Sequence, residues 1–277
     1  MTSASQTLVG PLGEMFSRKR EMGTAALIGY LPAGFPSVPV AIDVMKAMVD
    51  GGVDAIEVGL PYSDPLLDGP TIQQAVEQAL ASGVDTPAVF ETVRQVAATG
   101  VPTMVMSYWN PIERFGVDRF ADELAEAGGA GVITADITPE EAGEWVVASD
   151  RVGLARIFLV APSSTPARVQ LTTAATTGFV YAAAVMGVTG ARAQVGSAAQ
   201  ALVERTRSAT TLPICVGLGV STGRQAAEIA GYADGVIVGS AFVRAVLDAG
   251  SATEAVDAVR SLASELKAGI EQAGPAA

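Results

Sequence analysis

Apolar residues in this chain fall into short unbroken runs separated by amphipathic stretches. The runs are Ala25–Leu31, Ala55–Gly59, Thr103–Ser107, Gly131–Ala135, Ala155–Val160, Phe179–Ala183, Ile214–Gly217 and Gly235–Val238. Each is rich in β-branched and aliphatic residues and does not alternate with polar ones. That is the pattern of strands buried on both faces, as in a parallel sheet covered by helices. Helical spacing of apolar positions marks Ser37–Val49, Pro87–Ala98, Asp118–Ala127, Pro139–Ala148, Pro166–Thr176, Ser197–Ser208, Thr222–Ile229 and Ala252–Ala268. Several of these open on Ser, Thr or Asp, or carry Pro at the first position, as helix starts do. Gly51–Gly52, Gly100 and Gly128–Gly129 stand where left-handed helix caps are needed.

Eight strands alternating with helices predict an α/β fold, a single (β/α)8 TIM barrel. The rival, a doubly wound open sheet, lacks its G-x-G-x-x-G turn after the first strand. No linker or low-complexity stretch divides the chain. It reads as one domain over 1–277, with tails at 1–7 and 272–277 and an extra N-terminal helix, Glu14–Met22, beneath the barrel.

Composition narrows the chemistry. The 277 residues are 49% hydrophobic and 17% charged, so a large core can form. Histidine is absent and Cys215 is the single cysteine, which removes His-based triads, imidazole metal sites, Cys-rich zinc sites and intrachain disulfides. A formal charge of −12 repels nucleic acid and anionic membranes. No apolar run reaches the length of a membrane span and no secretory leader is evident, so the expectation is a cytoplasmic protein.

In a barrel of this kind, functional groups sit at the C-terminal ends of strands. Glu57 stands alone among apolar neighbours in Ala55-Ile56-Glu57-Val58-Gly59, and Asp64 and Asp68 follow in a Pro- and Gly-stiffened loop. Burial would raise the pKa of Glu57 toward a range useful for general acid/base catalysis. A structural carboxylate, paired with arginine or capping backbone, is the alternative. Tyr30, Tyr108, Asn110, Asp136 and Tyr181 lie at other strand exits or within strands, where tyrosines are more often core and Asp136 could simply shape a turn. Gly217-Leu218-Gly219 and Gly239-Ser240 follow the last two strands, the usual phosphate position, where backbone N–H groups can approach an anion. Lys19, Lys46 and Lys267 all fall in helical stretches, which disfavours a Schiff-base mechanism. A carboxylate-only magnesium site stays open; otherwise what remains is acid/base chemistry by carboxylates, with tyrosine a second candidate, on a phosphorylated small molecule that carries its own electron sink.

The stretch Glu57-Val58-Gly59-Leu60-Pro61-Tyr62-Ser63-Asp64-Pro65-Leu66-Leu67-Asp68-Gly69-Pro70 resembles the signature of the tryptophan synthase alpha subunit family. Supporting pieces in order are Gly29–Pro36, Tyr108-Trp109-Asn110-Pro111, Ala135-Asp136, Gly187-Val188-Thr189-Gly190, Gly217-Leu218-Gly219 and Gly239-Ser240, and the likeness spans residues 12 to 270. The resemblance implies retro-aldol cleavage of indole-3-glycerol phosphate to indole and glyceraldehyde 3-phosphate, with no cofactor and no metal in this chain. It also implies an α2β2 heterotetramer whose beta subunit uses pyridoxal phosphate (PLP) to join indole to serine. Carried over, Glu57, Asp68 and Tyr181 are the catalytic positions. Asp68 would hold the indole N–H. Tyr30, Tyr108, Thr189, Gly190, Gly217, Gly219, Gly239 and Ser240 bind substrate, and Pro61 and Asp64 face the partner. Leu67, Ala184 and Thr138-Pro139 depart from the family pattern and bear on loops and interface. A phosphate-binding isomerase barrel and a non-catalytic ligand-binding subunit are the competing readings.

Overall fold

The computed structural model describes residues 10–184, 192–217 and 219–273. Within them nine parallel strand segments form one sheet in the order β5-β4-β3-β2-β1-β9-β8-β7-β6. They are β1 (Ala26–Pro32), β2 (Ala55–Gly59), β3 (Thr103–Ser107), β4 (Gly131–Thr134), β5 (Ala155–Ile157), β6 (Leu159–Val160), β7 (Val180–Ala183), β8 (Ile214–Gly217) and β9 (Gly235–Val238). The expected run Ala155–Val160 is thus interrupted at Phe158. Its first half pairs with β4 and its second with β7, so one continuous segment closes the barrel. Eight strands by sequence and nine segments by hydrogen bonding describe the same (β/α)8 barrel.

Two apolar layers explain why the runs do not alternate. Ala26, Ile28, Ala55, Met104, Ile133, Ile157, Phe179, Cys215 and Ile237 fill the barrel interior. Their neighbours Leu27, Ile56, Val105, Val132, Val180, Val216 and Val236 point outward under the helices. Period two persists, but both phases are apolar because both faces are covered.

Twelve helices surround the sheet among the described residues. Helix α1 (Gly10–Met22) closes the bottom; Leu12, Met15 and Phe16 enter the interior cluster, with the Phe16 ring 5.8 Å from Phe179. Lys19 and Lys267 both pair with Asp54, at 2.6 and 2.8 Å, and Asp54 also accepts the Leu27 N–H, which ties α1 and the last helix to the base of β2. The helices α2 (Val38–Asp50), α4 (Thr86–Ala97), α6 (Val117–Glu126), α8 (Pro166–Ala175) and α10 (Gly223–Ala230) lie within a residue or so of expectation. Asp85, Thr165 and Thr222 cap three of them through side-chain oxygens.

Other elements depart from the sequence reading. Helix α7 runs Gly143–Val152, four residues later than Pro139–Ala148. The Thr138 hydroxyl donates to Glu141 at 2.9 Å and closes a separate turn first. The apolar stripe of α12 (Ala252–Gln272) continues through Leu266 and Ile270, so the helix passes Ala268 and takes in the first residue of the expected tail. Helix α9 (Arg192–Arg207) begins five residues early. Three helices have no counterpart in the reading: α3 (Pro70–Ala81), α5 (Trp109–Phe115) and α11 (Ser240–Leu247). Each begins directly behind a functional loop or strand end, where proline, glycine or a short apolar stretch hides the helical period.

Candidate active site

A cavity of about 290 Å³ opens at the C-terminal end of the barrel. It gathers Tyr30 from β1, Glu57 from β2, Asp68 from the loop before α3, Tyr181 from β7, Gly217 at the end of β8 and Gly219 after it, and Gly239 and Ser240 at the junction of β9 and α11. Residues separated by 210 positions are thereby brought to one mouth, as parallel strands of a closed barrel require.

Glu57 is fully buried, and neither carboxylate oxygen has a hydrogen-bond partner among the described residues. Among the described residues, then, no arginine pairs with this carboxylate and no backbone N–H is capped by it. Burial raises its pKa from 4.5 to about 8, since nothing nearby compensates the charged form. Asp68 is part-buried. Burial raises its pKa, and a hydrogen bond from the Tyr108 hydroxyl at 3.2 Å opposes the rise. Two carboxylates at one cavity thus have different surroundings.

Tyr30 and Tyr181 are arranged alike. Tyr30 pairs in register with Glu57 and leans over Gly59; a Cβ there would lie 2.5 Å from its hydroxyl. Tyr181 pairs with Cys215 and leans over Gly217, where an added Cβ would strike its hydroxyl. Gly217 therefore makes room for Tyr181 as well as lining the cavity. Burial holds both phenols protonated, with Glu57 adding to the effect on each.

Gly219 has φ +68°, a left-handed backbone that favours glycine. Gly239 precedes the first turn of α11, so free N–H groups and the positive end of the helix dipole face the cavity beside Ser240. This is a cradle for an anion. Ala184 also lines the cavity.

Other assignments land elsewhere. Tyr108 does not line the cavity; its phenol stands behind Asp68, and it is buried. Asp136 accepts the Trp109 N–H at 2.7 Å and so fastens the start of α5. Pro61 is buried and, with Tyr62 and Asn110, lines a neighbouring groove of about 420 Å³, while Asp64 is exposed. Thr189 and Gly190 lie outside the described residues. Leu67, a departure from the family pattern, also lines the cavity; Ile72, Met106, Leu159, Ala183 and Ile237 complete its walls and are not singled out by the sequence. Met106, Leu159 and Ile237 share the inward strand phase of Glu57 and Tyr181, the one signal that could have found them.

The whole length of the chain can be set against known proteins. The sequence profile described as "Tryptophan synthase alpha chain" matches residues 16–271. The chain belongs to the tryptophan synthase alpha chain family. A tryptophan synthase alpha chain from Thermobifida fusca is 59% identical over 254 residues, covering 91% of this chain and 94% of that one. One from Mycobacterium avium is 52% identical over 270 residues, covering 98% of each. A structure of Mycobacterium tuberculosis tryptophan synthase superposes with TM-score 0.87 at 50% identity, over 97% of this chain and 99% of the other. The tryptophan synthase alpha subunit of Legionella pneumophila gives the same TM-score at 31% identity, over 95% and 98%. Membership makes the chain a carbon–carbon lyase of tryptophan biosynthesis, and the family's reaction is cleavage of indole-3-glycerol phosphate to indole and glyceraldehyde 3-phosphate. Among the described residues no helix is long and apolar enough to cross a membrane, and no cluster of three or more Cys, Asp or Glu is placed to hold a metal.

Proposed function

We propose that Glu57 and Asp68 divide the work of the retro-aldol cleavage at this cavity. The observation that carries the reading is Glu57 itself, buried, without a partner among the described residues and at the cavity surface. With its pKa near 8, Glu57 is mainly protonated at neutral pH and enters the reaction as an acid. It gives its proton to indole C3, which makes the ring an iminium ion. The glycerol hydroxyl next to the ring then loses its proton to the Glu57 carboxylate. The C–C bond breaks, its electrons return to the ring, and an aldehyde forms. One proton enters and one leaves, so Glu57 ends as it began.

Asp68 accepts the indole N–H and stabilises the positive charge that develops there. Tyr181 and Tyr30 wall the reacting carbons. Gly219, Gly239 and Ser240 hold the phosphate through backbone and hydroxyl donors, with Gly217 and the Thr189-Gly190 segment completing the substrate contacts. The substrate supplies its own electron sink, so the chain works without a cofactor or metal of its own. It acts as one barrel domain in the cytoplasm.

Indole then passes to a beta subunit that uses PLP, within an α2β2 heterotetramer. Pro61 and Asp64 belong to the same loop as Asp68, so a partner docked there senses the occupied site. Incubation with indole-3-glycerol phosphate and assay of free indole, with and without the beta subunit, tests the reading. Release of indole that is lost in Glu57→Gln supports it; an isomerised, uncleaved product overturns it.

A further inference from the structure

Asp68 does not stand alone in its loop. The Leu67 N–H donates to the Tyr108 hydroxyl at 2.9 Å, and that hydroxyl donates to Asp68 Oδ1 at 3.2 Å. The two bonds are linked by geometry. With its acceptor side occupied by the Leu67 amide, the phenol has its hydrogen free to give, and Asp68 is where it points. The ring is held as well: Tyr108 is buried at the start of α5, and the Tyr62 ring lies 5.4 Å from it. On the other side of the aspartate, the Gln73 amide donates to the Asp68 carbonyl at 2.7 Å and fixes the backbone.

We propose that Tyr108 is the positioning residue for Asp68, clamping its carboxylate toward the cavity and keeping it ready to accept the indole N–H. The proposal rests on the reading of Asp68 as that acceptor. Tyr108 does not line the cavity, so it acts through Asp68 and not on the substrate.

The electrostatic consequence follows. Burial disfavours the charged carboxylate, and the Tyr108 hydrogen bond favours it. The titratable groups around Asp68 are Tyr30 and Glu57 in the cavity and Tyr108 behind it. Helix α11, packed on α3, brings Arg244 onto the Thr71 hydroxyl at 2.8 Å. Among the described residues, Tyr108 is the one that donates a hydrogen bond to the carboxylate itself. The same bond couples Asp68 to the loop tip, since the donating amide belongs to Leu67, which is 58% exposed beside the 77% exposed Leu66.

The test is Tyr108→Phe in the full chain, with carboxyl-¹³C aspartate followed by NMR across pH and the Asp68 signal assigned by its loss in Asp68→Asn. Loss of the hydroxyl is expected to raise the proton affinity of Asp68 about tenfold, as removal of one hydrogen bond to a charged group does. Turnover of indole-3-glycerol phosphate should fall about tenfold with KM within about threefold, the acid limb of the pH profile should move up, and Tyr108→Phe should add nothing in an Asp68→Asn background. If Phe at 108 fails to fold, 3-fluorotyrosine at 108, a stronger donor, must move the Asp68 titration the opposite way. An unmoved Asp68 titration overturns the proposal. An Asp68→Asn enzyme with wild-type turnover instead overturns the acceptor reading, while the NMR titration still judges Tyr108.

Discussion

Replacing Glu57 by Gln should make this protein more stable and less active at once, and the gain in stability should depend on pH. The carboxyl is fully buried, with both oxygens unpartnered among the described residues. Its pKa stands at about 8 in the fold against 4.5 when free. Between those values the unfolded chain has lost the proton and the folded chain keeps it. The native state therefore binds more protons, and stability falls as pH rises. The loss is absent below 4.5, grows by about 1.4 kcal/mol per pH unit, and levels off above 8 at roughly 5 kcal/mol. At pH 7 it amounts to about 3 kcal/mol. Glutamine has nearly the same shape and no charge to bury, so the variant escapes this penalty. The assay is urea unfolding of both proteins from pH 5 to above pH 8. The difference in unfolding free energy should be near zero at the acid end and open steadily toward pH 8. The same samples should show indole release lowered by about 10²–10⁴. A stability difference that stays flat with pH refutes the argument that Glu57 is a desolvated, uncompensated acid. A variant within threefold of wild-type turnover refutes its role in the chemistry.

Three further outcomes can be measured. Asp68→Asn should lower kcat by about 10²–10³ and change KM little, because the ring nitrogen becomes positive mainly in the transition state; a change in KM alone would make Asp68 a binding residue only. Gly219→Val should raise KM for indole-3-glycerol phosphate and lower stability by about 1–2 kcal/mol, since φ +68° is unfavourable for a β-branched residue; urea midpoints and an inhibition assay with inorganic phosphate read both, and an unchanged pair removes Gly219 from the phosphate site. Added beta subunit should raise indole production by roughly 5–150-fold, with Asp64→Ala blunting the rise; an isolated chain already at full rate ends the coupling but leaves the lyase assignment in place.

What the amino-acid sequence determined by itself was local chemistry repeated along the chain. Uniform apolar runs meant strands covered on both faces, and the barrel interior and the helix-facing layer are both apolar. A charged residue inside such a run, Glu57, declared itself because nothing in its neighbourhood accounted for it. Helices with a full apolar stripe and a capping side chain, such as α4 behind Asp85, were legible to within a residue. Tertiary structure decided what depends on neighbours distant in sequence. Helix α3 carries only Ala75, Val76 and Ala79 as buried positions and starts on Gly69-Pro70, so its period is weak until α11 packs against it. The break at Phe158 exists because one strand must satisfy β4 on one side and β7 on the other as the barrel closes. Tyr108 is a substrate-binding position by the family resemblance, yet it meets Asp68, 40 residues earlier, and does not line the cavity. Gly59 and Gly217 are strand ends in the sequence and clearance for two phenols in space. Residue type and period fix which groups can do chemistry, because they act over a turn or two of chain; which groups touch is a property of the closed barrel, where the hydrogen-bond register sets every distance across the mouth.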